Sequence, residues 1–226
     1  MLLPNKSLHR TSKTSKYQRL QGIDTHRSVR SSAKRILDIV GAITGLIVTT
    51  IVFFPVAIAI SLESPGSIFY SQLRCGYRGK PFRIWKFRSM ISNADKLQAL
   101  IANEAKGCIF KNRNDPRVTR VGRFLRRTSL DELPQFWNVL LGEMSLVGTR
   151  PPTLGETTCY SPLHWQRLNV KPGMTGEWQV NGRSQVLDFE TVVYLDLKYQ
   201  RQWSITYDLK LILRTLQVVF ARTGAY

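Results

Sequence analysis

Two adjacent carboxylates, Asp131 and Glu132, are the residues best suited to chemistry in this chain of 226 residues. Acidic residues are scarce around them, whereas five arginines lie between residues 117 and 127. The last of these, Arg127, precedes Asp131 by four residues, which is about one helical turn. Nearby guanidinium groups keep a carboxylate ionised, so that it can act as a nucleophile or as a metal ligand. The acidic pair is therefore a candidate for nucleophilic or metal-assisted catalysis.

The same acidic pair also fits a purely structural role. Ser129 and Glu132 have the S-x-x-E spacing of a helix capping box, and Pro134 suits the first turn of a helix. Acidic side chains also favour a helix N-terminus. The local sequence leaves capping and catalysis open, and the two are compatible because a helix N-terminus also positions groups against phosphates.

Several basic residues have the placement expected of phosphate ligands. Lys86 and Arg88 are predicted to share one face of a strand, which either binds a diphosphate or is simply solvated. Arg150 lies in the stiff segment Gly-Thr-Arg-Pro-Pro, and Arg183 lies in an Asn-Gly-Arg turn. A rigidly held guanidinium suits bidentate phosphate contacts, although surface loops also carry such residues without a ligand. The sequence contains no Walker loop, dinucleotide fingerprint or D-x-D metal motif.

The composition requires a negatively charged partner and disfavours several other kinds of site. The formal net charge is +18, and the first 35 residues carry nine Lys and Arg against one Asp. Nucleic acid, an anionic membrane and phosphorylated substrates all satisfy this charge. The three cysteines lack paired C-x-x-C spacing, which argues against a disulfide framework or a zinc site and suits a reducing cytosol. His164 is the one histidine inside the predicted fold, so histidine catalysis has little basis.

An uncharged, strongly apolar run covers residues 39–62 and predicts a membrane helix. At ~1.5 Å per residue this run is long enough to cross a hydrocarbon layer of ~30 Å. Pro55 lies within the run and either kinks a spanning helix or breaks it into a re-entrant helix-break-helix. The segments on both sides of the run are basic, which places both on the cytoplasmic face and favours re-entry.

Beyond the apolar run, turn residues and hydrophobic periodicity predict a β-hairpin and then a mainly helical domain. The predicted strands cover residues 68–74, 81–89 and 178–180, and the predicted helices cover residues 90–106, 118–127, 129–141, 188–203 and 207–221. The last helix has an apolar stripe that either packs in the core or lies in the membrane interface. The expected fold class is α/β (α+β). The expected segments are a disordered basic tail (1–33), a re-entrant membrane helix (34–63) and a cytosolic catalytic domain (64–226).

Together these features resemble the bacterial sugar transferase family, the monotopic phosphoglycosyl transferases, in the minimal form found in exopolysaccharide synthesis. The resemblance extends over about residues 34–220. Its specificity comes from many short motifs in the family's order. The matching motifs are Lys34-Arg35 with Asp38, Pro55, Ser64-Pro65-Gly66, Phe69-Tyr70 with Gln72, residues 86–90 (KFRSM), residues 128–135 (TSLDELPQ), residues 144–148 (MSLVG) with Arg150-Pro151, Lys171-Pro172-Gly173 with Thr175-Gly176, and Tyr207-Asp208-Leu209.

The resemblance implies a reaction and assigns roles in it. The family transfers a C1-phosphosugar from a UDP-sugar to a polyprenyl phosphate, usually undecaprenyl phosphate, with release of UMP and with Mg²⁺ as cofactor. Carried over, Asp131 is the nucleophile that forms a covalent phosphosugar, and Glu132 is a magnesium ligand or manages a proton. Asp131 is itself a second expected metal ligand, and Arg127 and Asp208 join the expected substrate-binding residues. The implied location is the cytoplasmic face of the bacterial inner membrane, in contact with lipids, and homo-oligomerisation stays open.

A protein of another class also accounts for part of the sequence. A membrane-tethered basic protein that binds nucleic acid or anionic lipid, without catalysis, explains both the charge and the apolar anchor. It does not explain an acidic pair among arginines or the stiff Arg-Pro and Lys-Pro-Gly loops. We therefore expect an enzyme and no nucleic-acid partner.

Overall fold

The computed structural model describes residues 24–182 and 185–221. Most of the predicted basic tail, and Arg183, lie outside the described residues. In the described part the helices are α1 (Arg27–Arg30), α2 (Ser32–Glu63), α3 (Arg120–Thr128), α4 (Gln135–Leu141), α5 (Pro162–Trp165), α6 (Glu177–Val180), α7 (Phe189–Gln202) and α8 (Ile205–Phe220). The strands are β1 (Phe69–Cys75), β2 (Pro81–Phe87), β3 (Ser145–Val147) and β4 (Gly173–Thr175). Short 3₁₀ helices cover Tyr77–Gly79, Ala94–Leu100, Leu130–Glu132, Glu156–Cys159 and Gln166–Asn169.

The apolar run forms one long helix, α2, that continues through Pro55. The helix thus continues where a break was expected, and its re-entrant placement in a membrane stays a prediction. Proline removes a single N–H donor, and the turns on both sides of it are held by packing. Before Pro55, Gly45 lies against the Phe136 ring, so closely that a Cβ at this position would meet the ring at 2.3 Å. After Pro55, Val56 and Ile60 are buried in a core cluster.

Both ends of α2 contact the same globular part of the chain. Near its start, Lys34 Nζ donates a hydrogen bond of 2.6 Å to Asp208 Oδ2 on α8. At its end, the Glu63 carboxylate accepts the first two backbone N–H groups of α3, at 2.6 and 2.8 Å. A helix of 32 residues is ~48 Å long, so α2 lies along the domain for its full length.

The face of α2 that points away from the domain is apolar and exposed. Its exposed large side chains are Ile36, Val40, Ile43, Ile47, Val48, Ile51, Phe54, Ile58 and Leu62. Within the described residues α2 is the one helix that is long and apolar enough to cross a membrane, judged by length and composition. One face of α2 is therefore packed against the domain, and the opposite face is an exposed apolar surface.

The predicted hairpin is confirmed, since β1 and β2 pair antiparallel from Phe69 opposite Phe87 to Cys75 opposite Pro81. A second two-stranded sheet, with β3 parallel to β4, was not predicted. Residues 178–180, predicted as a strand, belong to helix α6. The predicted helix over 90–106 is reduced to a 3₁₀ helix at Ala94–Leu100, which starts after Asn93 in a left-handed conformation (φ 66°).

The two C-terminal helices were predicted correctly and supply much of the core. Phe189, Val192 and Val193 of α7 are buried in one cluster. Tyr199 of α7 and Leu211 of α8 are buried in a second cluster with β3. Most of the apolar stripe on α8 nevertheless stays exposed, at Leu209, Leu213 and Leu216. This helix therefore has both the core contact and the exposed apolar face that the sequence left as alternatives.

Two predictions about local structure are corrected. His26 Nε2 donates to the Gln200 carbonyl at 3.0 Å and Ser28 is buried, so the chain is already folded onto the domain before residue 33. Cys108 and Cys159 form a disulfide with their Cα atoms 6.1 Å apart, contrary to the expectation from cysteine spacing. A pair separated by 51 residues leaves no local spacing signature. The remaining cysteine, Cys75, is buried.

Candidate active site

Asp131 and Glu132 lie in a separate 3₁₀ turn between α3 and α4. Ser129 adopts a left-handed conformation (φ 59°) and its side chain makes no capping hydrogen bond, so the predicted capping box is wrong. Instead, the Ser129 backbone N–H donates to the Arg126 carbonyl and ends α3. The chain reverses there, and the acidic pair follows directly after the reversal. Asp131 is only 5% exposed.

The turn that carries the acidic pair is fixed against the apolar helix. Leu130 and Leu133 flank the pair and pack on the cluster formed by Val56 and Ile60 of α2 with the buried Phe87 of β2. The short sequence Leu-Asp-Glu-Leu thus places two carboxylates between two hydrophobic anchors. This packing places the turn that carries the carboxylates against α2.

Cations from two elements contact or face the acidic pair. Lys86 Nζ of β2 donates to Glu132 Oε1 at 2.8 Å, and both side chains keep about a quarter of their surface exposed (26% and 27%). Burial lowers the pKa of Arg126, and the charges of Asp131 and Glu132 oppose that shift. Arg126 Nε also donates to Ser89 Oγ at 2.9 Å. The sequence pointed to Arg127, which the structure leaves exposed on α3.

The structure uses Arg88 to hold a turn. Its guanidinium donates to the carbonyl oxygens of Ser64 and Pro65, and to Ser92 Oγ. The turn it holds joins α2 to β1. Lys86 and Arg88 were predicted as a pair of phosphate ligands, and only Lys86 is placed beside the acidic pair.

Arg150 lies in a second cluster of cations around Trp178. Both of its terminal nitrogens donate to the Glu156 carboxylate, at 2.9 and 3.0 Å. Burial lowers the pKa of Arg150, but the adjacent Glu156 outweighs it and the net shift is upward. Burial likewise raises the pKa of Glu156, yet Arg150 brings it down to about 2. Arg150 is thus locked in place by a carboxylate of the same loop.

Two other cations surround this pair. Lys111 Nζ lies 4.8 Å from the centre of the Trp178 ring, and Arg150 lies over the same ring at 5.8 Å. Burial and the charge of Arg150 lower the pKa of Lys111 to about 8. Burial and Arg150 also lower the pKa of Arg74 to about 10, and the charges of Glu156 and Glu132 oppose that shift. The Arg74 guanidinium therefore interacts electrostatically with both this cluster and Glu132 of the acidic pair. The sequence gave no reason to single out Arg74.

Asp208 is held by hydrogen bonds within the fold, between α2 and α8. Its carboxylate accepts hydrogen bonds from Lys34 Nζ (2.6 Å), the Tyr199 hydroxyl (2.9 Å) and Trp203 Nε1 (3.1 Å). Both carboxylate oxygens are used in this way, and Asp208 is fully buried. Asp208 therefore ties α2 to α8, and the substrate-binding role expected of it stays a prediction.

The acidic pair fits magnesium in its ligand chemistry. Mg²⁺ prefers hard oxygen ligands and is commonly bound by one or two carboxylates together with substrate phosphates. Asp131 and Glu132 provide two such carboxylates in adjacent positions. In the described part of the chain, no group of three or more His, Cys, Asp or Glu side chains could hold a metal. A site here would therefore be completed by the substrate.

Comparison with known proteins identifies the family. The family model described as "Bacterial sugar transferase" matches residues 29–222. The chain is 49% identical over 195 residues to the galactosyl transferase CpsE of Streptococcus agalactiae serotype III (strain NEM316), covering 85% of this chain and 43% of that protein. It is 43% identical over 201 residues to the UDP-glucose:undecaprenyl-phosphate glucose-1-phosphate transferase of Escherichia coli (strain K12), covering 85% and 41%.

A shorter relative matches nearly end to end. The exopolysaccharide production protein ExoY of Sinorhizobium fredii (strain NBRC 101917 / NGR234) is 38% identical over 206 residues, which cover 88% of this chain and 91% of that protein. The chain thus spans less than half the length of the first two relatives and almost the whole of the third. The resemblance inferred from the motifs is confirmed. The chain belongs to the bacterial sugar transferase family.

Proposed function

We propose that this protein transfers a C1-phosphosugar from a UDP-sugar to a polyprenyl phosphate such as undecaprenyl phosphate. The observation that carries the proposal is the position of Asp131, a buried carboxylate whose flanking leucines pack on an apolar helix. A soluble nucleotide sugar and a lipid phosphate can both reach a carboxylate at such a boundary. Reaction of the two substrates in turn at one nucleophile divides a difficult transfer into two easier steps.

In the first step an Asp131 carboxylate oxygen attacks the phosphorus bonded to the sugar. A new bond forms between this oxygen and phosphorus, and the bond to the bridging oxygen of the diphosphate breaks. UMP leaves with that oxygen and its electron pair. In the second step an oxygen of the lipid phosphate attacks the same phosphorus, and the Asp131 carboxylate is released unchanged.

One group of cations suits the phosphates at the acidic pair, and a second group suits the nucleotide part of the UDP-sugar. Lys86, now paired with Glu132 at 2.8 Å, is close enough to the acidic pair to exchange this partner for a phosphate oxygen. Arg126 balances the charge that the phosphates bring to Asp131. Arg74, Lys111 and Arg150 form the neighbouring cationic cluster and suit the nucleotide side of the substrate.

Asp131 and Glu132 would hold magnesium, which supplies positive charge that stabilises the reacting diphosphate. Glu132 forms a partly exposed ion pair with Lys86, so its carboxylate can change partner when a metal and substrate bind. Lys86 then orients a phosphate oxygen, and Arg126 maintains the balance of charge. These roles require both carboxylates to be ionised.

We further propose a monotopic placement on the cytoplasmic face of the bacterial inner membrane. If α2 crossed the bilayer, its two ends would lie on opposite sides, yet both contact the same domain through Lys34 and Glu63. The exposed apolar side chains of α2 and the stripe on α8 supply a surface that can enter one leaflet. This supports a continuous helix that lies in one leaflet, with both of its ends on the same side of the membrane.

The names of the relatives support a hexose 1-phosphate as the transferred group and exopolysaccharide synthesis as the pathway. One is named as a galactosyl transferase, another as a glucose-1-phosphate transferase, and a third as an exopolysaccharide production protein.

The experiment that tests the proposal is UMP release from a panel of UDP-sugars, with undecaprenyl phosphate and Mg²⁺ present. We expect release with at least one UDP-hexose, and its loss in Asp131→Asn but not in Glu190→Gln, an exposed acid on α7. A membrane-tethered binding protein would release no UMP with any sugar.

A further inference from the structure

We propose that Arg35 and Lys171 form a second phosphate-binding site, at the far end of α4 from the acidic pair, that holds the phosphate group of a membrane lipid. The two cations belong to different parts of the chain, the start of α2 and the loop before β4. They meet at Gly142, the residue that ends α4. None of the reaction steps above uses either side chain.

The geometry at Gly142 brings the two cations together. Gly142 has a left-handed conformation (φ 80°), and a Cβ built there would lie 3.4 Å from Lys171 Nζ and 3.5 Å from the Arg35 guanidinium carbon. Arg35 is fixed because it donates to the carbonyl oxygens of Val139 (2.8 Å) and Leu140 (2.7 Å). Both cationic groups therefore face the same small space beside the end of α4.

Lys171 is the group that requires a ligand. Its ammonium makes no hydrogen bond or ion pair with another described residue, although it is half-buried. Burial, and then the charge of Arg35, lower the pKa of Lys171, while Asp38 opposes this. Asp38 Oδ1 itself accepts hydrogen bonds from Ser145 Oγ and the Leu146 N–H, at 2.8 and 2.9 Å. A half-buried ammonium beside a fixed guanidinium is stabilised most directly by an anion.

The shape and surroundings of the site indicate a lipid phosphate. Arg35 and Lys171 line a cavity of about 20 Å³ together with Lys34, Asp38 and three residues that precede α2, namely Ser28, Val29 and Ser31. The cavity has roughly the room of one water molecule, so it can accept a phosphate oxygen and not a whole headgroup. Exposed apolar side chains lie nearby in the sequence: Ile36, which follows Arg35, is 62% exposed, and Leu141, which precedes Gly142, is 57% exposed. A lipid phosphate can contact the cations while its chains lie on these apolar side chains.

The source of this phosphate is either an anionic phospholipid of the bilayer or the polyprenyl phosphate acceptor. The seven residues of α4 separate Gly142 from the acidic turn by ~10 Å of helix, so a lipid held here does not occupy the reaction centre. We therefore favour a bilayer phospholipid. Both sources share one chemistry, and the experiment separates them.

The test measures lipid binding to the full chain in a neutral detergent. Native mass spectrometry would count bound phosphatidylglycerol and, in a parallel arm, bound undecaprenyl phosphate. Lys171→Gln is the test variant and Lys96→Gln, on an exposed surface, is the matched control. We expect Lys171→Gln to weaken phosphatidylglycerol binding by about tenfold, as for loss of one charged partner, and Lys171→Arg to restore it. Loss confined to undecaprenyl phosphate would assign the site to the acceptor lipid.

A second readout does not depend on the folding of a variant. Lys171 in the native protein should react with an acetylating reagent more slowly when phosphatidylglycerol is added, by about fivefold relative to Lys96, because a bound phosphate protects the ammonium. Phosphatidylcholine, which carries no net charge, should give no such protection. Unchanged affinity for both lipids in Lys171→Gln, together with unchanged reactivity of Lys171, would overturn the proposal. UMP release plays no part in either readout.

Discussion

The ion pair between Lys34 and Asp208 gives the sharpest test of how the apolar helix is attached. Both side chains are buried, and the Nζ to Oδ2 distance is 2.6 Å. Lys34 Nζ also donates to the Val147 carbonyl at 3.0 Å, and Asp208 accepts from the Tyr199 hydroxyl at 2.9 Å. Asp208→Asn preserves the size of the side chain but leaves the buried Lys34 charge without its ion-pair partner.

Removal of one partner from a buried ion pair typically destabilises a protein by ~3–5 kcal/mol. A domain of this size loses ~2–4 °C in Tm per kcal/mol, so we expect Asp208→Asn to lower the Tm by ~6–20 °C. Lys34→Met should have a similar effect, since it leaves the carboxylate unpaired. The double variant should recover part of the loss because neither charge is then buried without its partner.

The assay is thermal unfolding by circular dichroism in detergent micelles, with KM for the UDP-sugar measured in parallel at a temperature where each variant is folded. Lys210→Met, an exposed residue of α8, is the matched control and should shift the Tm by less than about 2 °C. A variant Asp208→Asn with unchanged Tm but a KM raised about tenfold or more would refute this reasoning. It would return Asp208 to the substrate-binding role that the family motif implied.

Three further predictions concern single sites. Arg126→Gln should lower kcat/KM by about 100-fold, as for loss of a group that stabilises developing charge, whereas Arg127→Gln should stay within about twofold; equal effects would contradict the assignment. With the pKa of Lys111 at about 8, kcat/KM for the UDP-sugar should fall above this pH by about tenfold per pH unit, because the ammonium is lost as pH rises. Lys111→Arg should remove that fall, and a fall that persists would exclude Lys111 as its cause. Alkylation of denatured, unreduced protein should label one cysteine, Cys75, and labelling of all three would disprove the disulfide.

Much of the fold followed from local patterns. The hairpin was visible as two strands around a glycine turn, and the C-terminal helices followed from their apolar periodicity. The apolar run predicted a helix at the position of α2. Its continuity through Pro55 depends on tertiary packing at Gly45 and after Pro55, which a local sequence pattern does not reveal. The disulfide was missed for the same reason, since its two cysteines meet only after the chain has folded.

The candidate site was predictable in its centre and less so in its surroundings. The acidic pair and Lys86 were identified from residue types and alternation, and the structure brings them together. Arg126 and Arg127 are adjacent, and only the reversal of the chain at Ser129 decides which one faces the carboxylates. Arg88 was predicted as a phosphate ligand because a strand exposes alternate side chains. In the structure its guanidinium instead donates to the carbonyl oxygens of the turn after α2.

The most direct test of the account is whether Asp131 forms a covalent bond to the phosphosugar. The protein would be incubated with a reactive UDP-hexose and Mg²⁺ in the absence of lipid acceptor, quenched, digested and examined by mass spectrometry. We predict a gain of one hexose phosphate on the peptide that carries Asp131, lost on addition of undecaprenyl phosphate and absent from Asp131→Asn. An adduct that persists in Asp131→Asn, or UMP release that requires both substrates without any adduct, would contradict the central role of Asp131.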